Sequence, residues 1–147
     1  MNPILSLRTA ITGIAALVLC SCAVAEKPDA EKEKSATKIE HVDAKAAAAL
    51  LKKSDKVKVL DVRTPDEFKE GHIKGAELAD FKGDDFEGAL KKLDKSVPYL
   101  VHCRSGGRST SALETLKKLG FQHIYHLDGG MNAWSEAGNP VEKGEKP

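Results

Sequence analysis

The residues best equipped for chemistry sit together in one stretch: Cys103, Arg104, Ser105, Gly106, Gly107, Arg108 and Ser109. Glycine tolerates positive φ, so successive backbone N–H groups here can turn inward and form an anion-binding nest around the sulfur. Ser109, Thr110 and Ser111 suit a helix N-terminus, whose positive end adds to the nest. Arg104 and Arg108 contribute formal charge, and the sequence leaves open which of them points into the loop. Each of these effects favours thiolate over thiol, so Cys103 is expected to have a depressed pKa and to act as a nucleophile. A lone cysteine is ordinarily an inert small hydrophobe. A cysteine at a strand-to-helix switch with this loop is read as functional.

The flanking elements must hold that loop. Tyr99 to His102 is a short apolar run with the character of a buried strand. The pattern after the loop predicts a helix over 109–119 that buries Ala112, Leu116 and Leu119, with Lys117 and Lys118 in its last turn. Gly120 fits the C′ position, and Phe121 is placed to fold back on Leu116. Upstream, a strand over 38–41 leads to Asp43 as N-cap and to Ala44, Ala47, Ala48 and Leu51 at helical spacing. The β-branched run 57–62 predicts a central strand. Thr64 with Glu67 forms a capping box, Pro65 takes the first helical position, and the helix stops by Gly71.

A short strand over 76–80 and a helix from Asp85, with Phe86, Ala89, Leu90 and Leu93 on one face, come next. Gly88 inside that helix costs about 1 kcal/mol against alanine. A last strand over 123–127 and a last helix over 131–137, anchored by Trp134, complete the order. Strands alternating with helices predict a parallel sheet covered on both faces.

Composition allows one domain in 147 residues. The chain carries 23 Lys and Arg against 22 Asp and Glu, and Arg8 is the one charged residue before Glu26, so the remainder is balanced. A balanced surface offers no electrostatic footprint for nucleic acid or a membrane.

Residues 1–25 read as an export signal, with Arg8 as a weak positive region and an apolar span too short for a retained membrane helix. Two exits are open. Ala23-Val24-Ala25 is an A-x-A cleavage signal, and Leu19-Cys20-Ser21-Cys22 resembles a bacterial lipobox with Cys22 as the lipidated residue. The expected location is a bacterial envelope, periplasmic or lipid-anchored. Either exit leaves Cys103 as the one free thiol, so no internal disulfide forms. Residues 26–37 are charged and nearly devoid of apolar groups, a flexible linker. The domain is placed at 38–141, and 142–147 is expected to be a loose polar tail.

Other polar residues carry quieter readings. Asp61 and Arg63 are expected to fix a strand end near the loop rather than to react. His72 and His102 raise acid–base chemistry, but His102 precedes the nucleophile on a strand and is expected to bond to the scaffold. His41, His123 and His126 lack metal-ligand spacing beyond the weak pair His123/His126, and Asp128, Gly129 and Gly130 read as a turn. No metal or organic cofactor is expected.

Three motifs give the chain a family resemblance over about residues 38–140. They are Asp61-Val62-Arg63-Thr64-Pro65-Asp66-Glu67-Phe68 running into Gly71-His72-Ile73-Lys74-Gly75-Ala76, then His102-Cys103-Arg104-Ser105-Gly106-Gly107-Arg108-Ser109, then Leu127-Asp128-Gly129-Gly130-Met131-Asn132-Ala133-Trp134. In type and order they resemble the rhodanese-like (thiosulfate sulfurtransferase-type) domain family. Lys74 departs from it, standing where the family more often has proline.

The resemblance implies an α/β fold, a single domain with a five-stranded parallel sheet flanked by helices on both faces. It also implies sulfane-sulfur transfer from an anionic donor such as thiosulfate to cyanide or a thiol, through a persulfide on Cys103. The amides of Arg104 to Ser109 would hold the charge. Arg108 would help bind the donor, or else form a structural salt bridge, and both readings stand. Two rivals remain. One is a sulfur-carrier or interaction module with a protein acceptor. The other is a cysteine phosphatase or arsenate reductase, which resembles this loop but separates cysteine from arginine by five residues, where four separate Cys103 from Arg108.

Overall fold

In the computed structural model of the chain, residues 36–144 are described, and they fall within one compact unit, Glu31–Pro147. The export signal and most of the 26–37 linker lie outside the described residues.

Ten elements alternate along the chain: β1 (Lys38–Val42), α1 (Ala44–Lys53), β2 (Lys58–Asp61), α2 (Pro65–Glu70), β3 (Ala76–Leu78), α3 (Phe86–Lys91), β4 (Tyr99–His102), α4 (Gly107–Lys118), β5 (His123–Leu127) and α5 (Gly130–Glu136). The five strands form one parallel sheet in the order β1-β5-β4-β2-β3. Every residue of the central β4 is buried, as a strand covered on both faces requires. One face packs Leu60, Val62, Tyr99, Val101 and Ile124 against Leu90 of α3 and Ala112, Leu113 and Leu116 of α4. The other packs Val59, Leu100 and Leu127 against Ala44 and Ala47 of α1, Phe68 of α2, and Met131 and Trp134 of α5.

Several local signals act as expected. Asp43 caps α1 by accepting the Ala46 N–H at 2.7 Å. Thr64 and Glu67 make both halves of the capping box at α2. At the end of α4, Gly120 has φ +84°, its N–H reaches the Lys117 carbonyl at 3.0 Å, and the Phe121 N–H reaches Leu116 at 3.1 Å. That is the two-bond Schellman closure.

Other expectations need correction. The helix expected over 109–119 begins two residues earlier, at Gly107. Its N-cap is Gly106, at φ +104°, so a glycine turns the chain and the hydroxyls lie inside the first turn. There they fold back on carbonyls: Thr110 Oγ1 donates to Gly106 at 2.9 Å and Ser111 to Gly107 at 3.3 Å. The loop proper is therefore only four residues long, residues 103–106.

Within α3, a Cβ on Gly88 would lie 1.8 Å from Asp85 Oδ1, so the glycine makes room for that carboxylate. Of the expected loose tail, residues 142–144 are tied down, and 145–147 lie outside the described residues. Glu142 exchanges two backbone hydrogen bonds with His72, at 2.8 and 2.9 Å, and the Gly144 N–H donates to Lys69 at 3.0 Å. Backbone groups that find partners do not stay loose, whatever the polarity of their side chains. No helix among the described residues is long and apolar enough to cross a membrane.

Candidate active site

β4 delivers Cys103 to the carboxyl edge of the sheet, between β2 and β5. The residue is only 1% exposed. Its sulfur accepts the Gly106 N–H at 3.2 Å and lies 3.5 Å from the Ser109 hydroxyl. Burial pushes the Cys103 thiol up, but the Ser109 hydroxyl and the N–H groups of Ser109, Gly106 and Ser105 outweigh it and bring the pKa below the ordinary thiol value. The thiolate is favoured by donors, not by exposure to water.

The loop holds this shape because a second element grips its outer side. The Met131 N–H donates to the Cys103 carbonyl at 2.8 Å and the Asn132 N–H to the Arg104 carbonyl at 3.0 Å. Both donors belong to the first turn of α5, where N–H groups lack helical partners. With its carbonyls taken there, the loop presents N–H groups to the sulfur. The approach needs glycine: Gly130 has φ +57°, and a Cβ on it would fall 2.4 Å from the Cys103 carbonyl oxygen. The Asp128-Gly129-Gly130 segment is thus a turn, as expected, and also the clamp on the loop.

The two arginines differ. Arg108, in the first turn of α4, is paired bidentately with Glu67 of α2, both contacts at 2.7 Å. Arg108 holds the Glu67 carboxyl down at about 2. Its guanidinium is engaged by a carboxylate 41 positions away. Arg104 is exposed beside a cavity of about 400 Å³ that Arg63, Glu67, Met131 and Asn132 also line. Ser105 is exposed and faces the sulfur with its N–H alone. Gly107 is exposed at the first position of α4.

Asp61 and Arg63 meet at the end of β2 as a buried pair, Nη2 to Oδ2 2.6 Å, and the Arg63 Nη2 also donates to the Gly71 carbonyl at 2.7 Å. The pair joins the end of β2 to the end of α2. His102 is fully buried, with Nδ1 3.3 Å from the Cys103 carbonyl and Nε2 3.8 Å from Asp61 Oδ2. Burial holds its pKa low despite Asp61, so the ring stays neutral. His72 stacks on Phe68 at 3.8 Å and bonds to its carbonyl through Nδ1 at 3.0 Å, away from the sulfur.

One functional neighbour escaped the sequence reading. His126 of β5 is 3% exposed, and its Nε2 lies 2.9 Å from Ser109 Oγ. Its Nδ1 lies 3.0 Å from Asp128 Oδ1, which His41 Nδ1 also meets at 2.8 Å. The available signal was alternation: Ile124 faces α4, so His126, two residues on, must face α4 too.

The comparisons agree with this geometry. The family model for the rhodanese-like domain matches residues 43–137. The thiosulfate sulfurtransferase GlpE of Vibrio cholerae is 30% identical over 102 residues, which cover 69% of this chain and 93% of that one. The probable adenylyltransferase/sulfurtransferase MoeZ of Mycobacterium tuberculosis is 36% identical over 85 residues, and this chain spans only 22% of its length. Among solved structures, a rhodanese-related protein of Thermoplasma volcanium superposes with a TM-score of 0.62 at 31% identity, over 70% of this chain and 97% of that one.

Proposed function

Because this chain belongs to the rhodanese-like domain family and is at family level a sulfurtransferase, we propose that it moves sulfane sulfur from an anionic donor such as thiosulfate through a persulfide on Cys103. The Cys103 thiolate attacks the outer sulfur of thiosulfate; the new S–S bond forms as sulfite leaves with the electrons of the old one. Cyanide or a thiol then attacks the outer sulfur of the persulfide, and Cys103 leaves as thiolate. The observation that carries this reading is the set of donors around the sulfur from Gly106, Ser105 and Ser109. Such donors stabilise a thiolate and, one bond further out, the terminal charge of a persulfide.

The engagement of Arg108 by Glu67 speaks against the phosphatase alternative, whose cradle needs a guanidinium free for phosphate. Asp61 and Arg63 are assigned a supporting role at the end of β2, beside His102, rather than a reactive one. Residues 1–25 fit export to a bacterial envelope, periplasmic or anchored through Cys22.

The test compares the full chain with its Cys103→Ser variant. Each is incubated with thiosulfate and weighed intact, then given cyanide and assayed for thiocyanate. The expected result is a gain of one sulfur atom by the parent, erased by cyanide and absent from the variant. Sulfur gain without thiocyanate turnover would favour a carrier with a protein acceptor. Cys103-dependent hydrolysis of an aryl phosphate with no sulfur gain would overturn the proposal.

A further inference from the structure

Behind the nucleophile runs a line of polar groups that the transfer chemistry above leaves unused. From Cys103 Sγ it passes at 3.5 Å to Ser109 Oγ, at 2.9 Å to His126 Nε2, and from His126 Nδ1 at 3.0 Å to Asp128 Oδ1. Cys103, Ser109 and His126 are all buried, whereas the Asp128 side chain is 55% exposed. The line therefore leads from an enclosed thiol to solvent.

Counting protons shows what it can do. The Ser109 hydroxyl has one proton and three acceptors in range: Cys103 Sγ, His126 Nε2 and the Gly106 carbonyl at 2.9 Å. That carbonyl has two lone pairs, and Thr110 already supplies two donors, its N–H and its hydroxyl, each at 2.9 Å. The Ser109 proton is thus best used toward sulfur or toward His126. If it goes to His126, the ring is neutral, with its Nδ1–H on Asp128. If it goes to the sulfur, the Ser109 oxygen is left to accept from Nε2–H, and His126 carries a proton on each nitrogen. The first arrangement suits a thiol and the second a thiolate.

We propose that His126, held by Asp128, takes up the proton that Cys103 loses, by way of the Ser109 hydroxyl. The thiol S–H bond breaks as an O–H bond forms on Ser109; the original Ser109 O–H bond breaks as an N–H bond forms at His126 Nε2. The products are a thiolate and an imidazolium separated by one hydroxyl, with no change in net charge. His126 acts through Ser109 and does not touch the sulfur, so it is a positioning residue. Asp128 Oδ1 receives its Nδ1–H.

The other groups facing the His126 ring are few. From β1, His41 lies at a ring separation of 4.9 Å and shares Asp128. From α4, Thr110 Oγ1 is 3.4 Å from Nε2. From β4, its register partner is Val101, which cannot ionise. Among the described residues, the negative neighbours are therefore Asp128 and the thiolate itself, and His41 competes for Asp128. Asp128 Oδ1 meets Nδ1 of the ring, and Ser109 Oγ, the link to the sulfur, meets Nε2.

The inference rests on reading Cys103 as the nucleophile, but not on which sulfur donor it meets. Its test accordingly uses alkylation rather than sulfur transfer. The full chain is treated with iodoacetamide across pH, and modification of the Cys103 peptide is followed by mass spectrometry, which separates it from Cys20 and Cys22. The His126→Gln variant keeps a side chain able to bond to Ser109 but unable to take a proton. Its alkylation midpoint is expected to rise by about one pH unit, with rates near neutrality falling about ten-fold and the alkaline plateau unchanged.

An unchanged midpoint would overturn the proposal. So would a uniform loss at every pH, which indicates blocked access rather than lost proton uptake. A second measurement needs no variant: the His126 ring nitrogens of the parent are titrated by NMR before and after Cys103 is capped as a methyl disulfide. Capping removes the thiolate, so His126 is expected to lose its proton at lower pH. A titration indifferent to the cap would overturn the proposal. Sulfur gain from thiosulfate, measured separately, reports on the transferase reading alone.

Discussion

At the scale of single residues, the surroundings of Cys103 are set by atoms that do not touch its sulfur. The Cys103 carbonyl must be held by Met131 for the loop N–H groups to face the sulfur, and that grip requires a glycine at 130. Gly130→Ala places a methyl 2.4 Å from the Cys103 oxygen and 2.9 Å from the Arg104 oxygen, at a φ of +57°. The expected outcome is a loss of about 2 kcal/mol or more in urea unfolding, with Cys103 alkylation moved to higher pH. Gly107→Ala is the contrast. Its Cβ meets nothing within 4 Å, so stability is expected to stay within about 0.5 kcal/mol. Equal losses in the two variants would refute the clamp. Two neighbouring glycine motifs thus answer to different demands, one to conformation and close contact, the other to neither.

At the scale of elements, α2 and α4 are tied at their N-terminal turns by Glu67 and Arg108. Glu67 does double duty, completing the capping box with Thr64 while gripping Arg108. Its carboxyl is held down at about 2 in the folded chain, against an ordinary 4.5. A depressed carboxyl contributes stability above the unfolded value and loses it as pH falls toward the folded one. Glu67→Gln is expected to cost roughly 1–2 kcal/mol near neutrality, since both partners are partly solvated, with the gap to the parent closing as pH falls from about 4.5 toward 2. Urea unfolding of both proteins across that range checks it, and a gap independent of pH would show that the charge is not involved.

How far these features could be read in advance follows from the distances along the chain that they span. Thr64 with Glu67, Asp43 with Ala46, and Gly120 with Phe121 act within a few residues, and the sequence displays them openly. The family motifs brought Cys103, its loop and the Gly129-Gly130 turn into view. The start of α4 was misplaced because Ser109 and Thr110 look like caps, while the positive φ of Gly106 does that work instead. Arg108 with Glu67, 41 positions apart, and Ser109 with His126, 17 apart, depend on the sheet order, which no local pattern encodes.

Across the whole molecule, the parallel order β1-β5-β4-β2-β3 sets the loop after β4 near the middle of one sheet edge, with helices on both faces. The site draws on β2, β4, β5, α2, α4 and α5, so its geometry depends on the fold as a unit. Residues 142–144 belong to that unit through Glu142 and Gly144. Deleting residues 142–147 removes three backbone hydrogen bonds to His72 and Lys69, and roughly 1–3 kcal/mol should be lost in thermal unfolding. The Cys103 alkylation midpoint should not move, because none of these bonds reaches the loop. A stability equal to the parent's would show that the bonds of residues 142–144 contribute nothing.

In the proposed persulfide cycle, the near-complete enclosure of Cys103 would make the site a size filter whose setting changes with loading. At 1% exposure Cys103 is recessed from large groups carried on another folded protein. A persulfide places its outer sulfur about 2 Å beyond Sγ, the length of an S–S bond. Loading in that cycle would therefore advance the reactive atom outward, and bulky acceptors would gain reach only when there is sulfur to collect.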